Sequence, residues 1–272
     1  VDLAFEEHGP RNAPTILFLH GGGGGRWMWK PQVEGFPDYH LLIPDLPGHG
    51  DSSSIRLTSI EDAAERVAVL IREKAHGGRA HVVGLSLGAQ VAVYLLAQTP
   101  ELIDHAVISS ALLKPMTLRW LYNPGLLRFL FNTSVAPFRN SRWWAKVNMK
   151  YSGGIPDEYF PQFFELYQKM TADQFVDVTR VGLNNSIPSG LSQVKNSCLV
   201  LCGQKEYREM RESTRSIAAA LPNASAYQVT YPKGVPLREQ HNWSMTHPDL
   251  FNRTVSAWIE DKPLPIELMC GK

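Results

Sequence analysis

Two apolar patterns alternate along the first hundred residues. Runs such as Ile16-Leu17-Phe18-Leu19 and Val82-Val83 are short, uninterrupted and partly β-branched, which suits strands of a parallel sheet covered on both faces. Strands are predicted at Leu3–Glu7, Thr15–Leu19, His40–Ile43, His81–Gly84 and His105–Ser109. Between them Ser59–Lys74 carries apolar residues at helical spacing, with Thr58 or Ser59 as its cap. Strands alternating with helices imply an α/β fold with a doubly wound, mostly parallel sheet.

The pattern changes after Ala111. From Leu112 to about Leu191 no strand is predicted, only helical stretches at Met116–Phe131, Pro137–Tyr151, Pro156–Met170 and Thr171–Asn185. Trp120, Trp143, Trp144, Phe163 and Phe164 are among the many aromatic residues there. Residues 112–191 therefore read as an all-helical cap inserted into a core made of residues 1–111 and 192–272. Strands resume at Ser197–Cys202 and Ala226–Thr230, and a helix at Pro248–Ile259 closes the core. The tail from Asp261 is punctuated by proline and receives no element.

Composition narrows the reading. A chain of 272 residues, 44% hydrophobic, fits one large domain or one domain with an insertion. The net charge of +1, without an evident cluster of like charges, favours neither nucleic acid nor an anionic membrane surface as partner. No apolar run reaches the length of a membrane span. With no signal peptide at the start and three cysteines, too few for a disulfide framework, a cytoplasmic location is expected. Cys198 and Cys202 lie on one predicted strand about 13 Å apart, too far to bridge, and read as core residues.

The chemistry gathers at Gly84-Leu85-Ser86-Leu87-Gly88. An apolar strand passes through Gly-x-Ser-x-Gly into a helical pattern, so one serine stands on a tight strand–helix turn, its hydroxyl clear of the sheet. Glycines on either side let strand and helix approach closely. Ser86 thus reads as a nucleophile, and a serine hydroxyl at neutral pH needs a base that is itself oriented by an acid. His241, in the loop before the last helix, is the candidate base, with His247 as the rival. Glu206, after the strand Ser197–Cys202, is the candidate acid, with Glu209 in reserve. Two N–H donors are required for the developing oxyanion. Leu87 supplies one, and Gly22, or failing that Gly23, supplies the other from His20-Gly21-Gly22-Gly23-Gly24-Gly25. That run lacks the Gly-Lys-Ser/Thr ending of a phosphate loop. Asp45-Leu46-Pro47-Gly48-His49-Gly50-Asp51-Ser52 reads as a structural turn, since no second histidine lies at metal-ligand spacing. Neither a metal nor another cofactor is called for.

In this order, His20–Gly25, Asp45–Ser52, Gly84–Gly88, Gly203–Glu206 and His241–Trp243 resemble the α/β-hydrolase fold superfamily, in its serine-nucleophile branch with a helical cap. The resemblance implies an oxyanion loop, a structural turn, a nucleophile elbow, an acid loop and a histidine loop at those places. It carries the same roles onto Gly22, Leu87, Ser86, Glu206 and His241. Three departures stand out: the acid is glutamate, no glycine precedes the histidine, and no room precedes Val1 for a further strand, so about seven strands are expected.

The function expected is a serine hydrolase of carboxylic esters of small to medium apolar acids, working through an acyl-enzyme on a small-molecule substrate. Thioesterase and lactonase chemistry use the same groups. A C–C bond hydrolase of diketone-like substrates is the alternative; it needs a cap cation to hold a substrate carboxylate, for which Arg119, Arg128, Arg139 and Arg142 are candidates. A non-catalytic ligand-binding protein on the same fold is the reading from another class.

Overall fold

The computed structural model describes residues 2–115 and 122–270. Eight strands form one sheet: β1 (Phe5–His8), β2 (Thr15–Leu19), β3 (His40–Pro44), β4 (Ala80–Leu85), β5 (Ile103–Ser109), β6 (Ser197–Gly203), β7 (Ala224–Val229) and β8 (Leu268–Cys270). Their order is β1-β3-β2-β4-β5-β6-β7-β8, with β1 and β8 antiparallel at the two edges and the rest parallel. Where about seven strands were expected there are eight, because the tail beyond Asp261 supplies the last. Met269 pairs with Gln228 there, and Leu268 turns into the core.

Period-2 alternation explains the uninterrupted apolar strands. Leu17 and Leu19 of β2 pack into one core with Val82, Cys198 and Val200. Ile16 and Phe18 of the same strand face the opposite core with Val83, Leu199 and Leu201. Helices cover both faces. The first core is closed by α2 (Ile60–Lys74), α3 (Leu87–Gln98) and α8 (Arg208–Ala220). The second is closed by α10 (Trp243–Thr246) and α11 (Pro248–Ile259), where Trp29 stacks between Phe18 at 4.9 Å and Phe251 at 5.7 Å. Ser59 caps α2, its hydroxyl accepting from the Asp62 N–H at 3.0 Å. Beside Trp29 lies α1 (Lys30–Gly35), and the short α9 (Leu237–His241) precedes α10.

Between β5 and β6 the described residues form helices only. They are α4 (Pro124–Ser134), α5 (Arg142–Asn148), α6 (Phe160–Lys169) and α7 (Ala172–Leu183). The first part of the predicted helix Met116–Phe131, with Arg119 and Trp120, lies outside the described residues. Ala145, Met149, Phe160 and Tyr167 give this insertion a small core of its own. Its firmest attachment is α7. Arg56 grips Asp177 through two bonds of 2.6 and 3.0 Å, and the Gln90 side chain donates to the Gly182 carbonyl at 2.9 Å.

Since β3 and β4 lie on opposite sides of β2, the chain reverses direction across the sheet between β2 and β4, which opens a crevice at their carboxyl ends. The approach of α3 to β2 at that point is close. A Cβ on Gly88 would lie 2.1 Å from the Leu19 carbonyl oxygen, whereas one on Gly182 of α7 would meet only Leu87 Cδ1 at 3.8 Å. Gly88→Ala is expected to lower Tm by roughly 5–10 °C or to prevent folding. Gly182→Ala should leave Tm unchanged or raise it, by up to about 1 kcal/mol of stability. Thermal unfolding followed by circular dichroism checks both; equal Tm values for wild type and Gly88→Ala would contradict the close-approach argument.

Candidate active site

Ser86 joins β4 to α3 with φ 56° and ψ −111°, a left-handed conformation that few non-glycine residues adopt. What holds it there is backbone on both sides. The Ser86 N–H donates to the Ser109 carbonyl at 2.9 Å, and the Ser86 carbonyl accepts from Gln90 N–H at 3.1 Å. A Cβ on Gly84 would stand 2.5 Å from the Gly88 carbonyl oxygen, so the turn closes only with glycine at that position. Helix α3 starts at Leu87, whose N–H has no acceptor within the helix and sits at its positive end.

The glycine run after β2 lies against this turn. A Cβ on Gly21 would be 3.5 Å from Ser86 Cβ, and one on Gly22 would be 3.8 Å from Leu87 Cβ and 3.5 Å from Val178 Cγ1 of α7. Two buried histidines shape the run. His20 Nδ1–H donates to the Gly21 carbonyl at 2.8 Å, while its Nε2 accepts from Leu46 N–H at 3.0 Å. His49 Nδ1–H donates to the Pro47 carbonyl at 3.0 Å, and its Nε2 accepts from Gly23 N–H at 3.1 Å. Burial pushes His20 down to about 4 against the opposing Gly21 bond, and burial together with His20 pushes His49 down to about 3. Both rings are therefore neutral at neutral pH and able to accept.

This geometry separates the two proposed donors. Gly23 N–H is occupied by His49, so the second-choice donor is not available to an oxyanion. The Gly21 carbonyl is turned to His20, and in a planar trans peptide the Gly22 N–H points the opposite way. No hydrogen bond engages that N–H among the described residues. The turn Asp45–Ser52 braces the same loop. Buried Asp45 accepts from Arg26 N–H at 2.8 Å, Arg26 Nη1 at 2.5 Å and Asp51 N–H at 2.9 Å. Asp45 and His49 thus bond to protein groups that shape the loop, as a structural turn requires.

At the carboxyl end of β6, Glu206 is buried and meets His241 Nδ1 at 3.2 and 3.3 Å. Burial alone would depress the His241 pKa, but the charge and hydrogen bond of Glu206 outweigh it and leave the ring above its ordinary value. Burial alone would raise Glu206. His241, the Ser110 hydroxyl and the Gly203 backbone together hold its carboxyl below the usual range. The reserve residues lie elsewhere: Glu209 is in the first turn of α8, and His247 Nδ1 contacts the Thr246 hydroxyl at 3.0 Å. Ser86, after β4, sits two strands away from Glu206, after β6, and is linked to it across β5 through Ser109 and Ser110. No hydrogen bond joins its hydroxyl to His241 among the described residues. Such contacts commonly tighten only with substrate bound.

Three supporting residues escape a sequence reading. Ser110, itself at φ 57°, donates its hydroxyl to Glu206 Oε1 at 2.5 Å. Gln240 fills the place before His241: its Oε1 accepts from Lys205 N–H at 3.1 Å and its Nε2 donates to the Val235 carbonyl at 3.0 Å. Trp243 Nε1 donates to the Ser109 hydroxyl at 2.9 Å. Only the doubled serine after β5 offered a signal. The arginines of the insertion are differently employed. Arg128 pairs with Asp173, Arg142 lies over the Phe160 ring at 5.0 Å, and Arg139 has no ion pair among the described residues.

Glu206→Gln keeps the burial of His241 and removes the charge that raises its pKa. The acid limb of kcat/KM, which requires neutral His241 in the free enzyme, is expected to move to lower pH. Turnover at the optimum should fall by about 10³–10⁴-fold. Rate–pH profiles on any hydrolysed ester check this; an unmoved limb would remove Glu206 from contact with the base.

A protein from Gibberella zeae described as an AB hydrolase superfamily protein is 39% identical over 111 residues, covering 39% of this chain and 38% of that protein. An esterase from Mycobacterium tuberculosis is 38% identical over 104 residues, covering 36% of this chain and 33% of its own length. Those alignments span between about a third and two fifths of the relatives' own length. In structure, the chain is similar to the enol-lactonase of Burkholderia xenovorans, with a TM-score of 0.74 at 18% identity over 95% of this chain and 96% of that one. The family model of the alpha/beta hydrolase family matches residues 16–254, from the middle of β2 to the last helix, and the chain belongs to that family.

Proposed function

We propose that the protein is a serine hydrolase that cleaves carboxylic esters of small to medium apolar acids through an acyl-enzyme. The observation that carries this reading is the buried Glu206–His241 bond at the carboxyl end of the sheet, two strands from a serine held at φ 56°. His241, kept in orientation by Glu206, takes the proton from Ser86 Oγ as the oxygen attacks the acyl carbon. The N–H groups of Leu87 and Gly22 receive the oxyanion. His241 then protonates the departing alcohol, and a water deprotonated by His241 releases the acid. No cofactor enters these steps.

Residues 112–191 act in this scheme as a cap over a core formed by 1–111 and 192–272. Val178 and Leu87 lie beside Gly22, and in this scheme they offer an apolar wall that would favour an apolar acyl group and exclude water. The names esterase and enol-lactonase borne by the relatives denote cleavage of an ester bond, open or cyclic, and support the same reaction class.

Initial rates on p-nitrophenyl acetate, butyrate, octanoate and palmitate test the proposal, with Ser86→Ala as the blank. Turnover is expected with an optimum at butyrate or octanoate, reduced at least about 10³-fold in the variant. Rates on all four that do not exceed those of Ser86→Ala would overturn it.

A further inference from the structure

The net charge of +1 conceals a segregation within the helical insertion. From Tyr122 to Pro156 there are five basic residues, Arg128, Arg139, Arg142, Lys146 and Lys150, and neither aspartate nor glutamate. From Asp157 to Leu183 there are five acidic residues against Lys169 and Arg180. The expectation that like charges do not cluster therefore fails for the α4–α5 half of the insertion.

The same half exposes apolar side chains that the fold does not use. Helix α4 buries Leu127 and Phe131, and Phe131 stacks on Phe175 of α7 at 5.6 Å. Its outer face nevertheless carries Phe129, 62% exposed, and Leu130, 40% exposed, where a solvated helix would be polar. On α5, Ala145 packs inward while Trp143 stands 71% exposed. Trp143 touches Trp144 at 5.8 Å, and Trp144 stacks on Phe138 at 5.4 Å. The Trp144 indole N–H donates to the Ser134 carbonyl at 2.7 Å, one turn beyond Leu130 on α4. Phe138, Trp143 and Trp144 thus touch in series at the junction of the two helices, with exposed Leu130 one turn before Ser134 on α4.

We infer that this face of the insertion docks on an anionic phospholipid surface. Its aromatic and aliphatic side chains would enter the interfacial layer, and its cations would meet the headgroups. A second copy of the chain is the poorer occupant, because two such faces would bring together Arg139, Arg142 and Lys150, none of which has an ion pair among the described residues. Arg128 and Lys146 already hold Asp173 and Asp157, which leaves Arg139, Lys150 and Arg142, the last over the Phe160 ring, without ion pairs among the described residues. The charge contribution is therefore moderate, and apolar insertion carries most of the attachment. No helix among the described residues is long and apolar enough to cross a membrane.

Flotation with unilamellar vesicles tests the inference. Vesicles of phosphatidylcholine alone are compared with vesicles holding about 30% phosphatidylglycerol, at low and high salt. The expected result is at least about tenfold stronger partitioning onto the anionic vesicles at low salt, weakened by high salt. A Phe138→Ser/Trp143→Ser double variant should lose at least about tenfold of that binding while keeping its Tm, since both side chains are exposed. The inference is overturned by partitioning that ignores phosphatidylglycerol, or by full binding of the double variant. Sedimentation showing a dimer that the double variant dissolves, in a protein that does not float, would overturn it in favour of a second copy.

Discussion

Everything in the candidate site follows from how closely the start of α3 approaches the end of β2. At Gly88 the helix lies against the Leu19 and His20 carbonyls with no space for a side chain, and at Gly84 the strand lies equally close to the helix. That contact forces the intervening residue into a positive φ, so Ser86 is displayed at the apex of the turn. It also lays the glycine run after β2 beside Leu87, which brings two backbone N–H groups near one serine. A chain with larger residues at 84 and 88 would lose the turn and the placing of the glycine run beside it.

The second constraint is electrostatic. A carboxylate buried as fully as Glu206 is costly unless its oxygens are bonded. His241 and Ser110 bond them, and Gln240 ties the backbone of the acid loop to the short helix that bears the histidine. The resulting balance leaves the acid charged and raises the base above the value that burial alone would set. On the other side of Ser86, His20 and His49 follow the opposite logic. Kept neutral by burial, they accept backbone N–H groups and fix the peptide planes of the glycine run.

Much of this was legible in the sequence, for physical reasons that vary by element. The central strands were readable because residues such as Ile16–Leu19 feed two cores and carry no polar interruption, and β2 and α11 match their predicted bounds. The edge strand β8 was not, because three residues in a proline-punctuated tail carry no periodicity. The strand–helix turn at Ser86 and the meeting of Glu206 with His241 were readable from their places after strands or before the last helix. The roles of Ser110 and Gln240 depend on partners far away in the chain, and no local pattern encodes them. Gly23 misled for a related reason: its N–H is claimed by His49, a contact that a run of identical glycines does not announce. The charge segregation of the insertion was written in the sequence and hidden by the near-zero total, while the exposure of Trp143 and Phe129 required the packing.

The central claim is that Ser86 is a nucleophile activated by His241. Incubation with a fluorophosphonate probe, followed by peptide mass mapping, tests it without knowledge of the natural substrate. One probe per chain, attached to the peptide containing Ser86 and lost in His241→Ala, is the predicted result. An unlabelled protein, or a label that persists at the same rate in His241→Ala, would contradict the account.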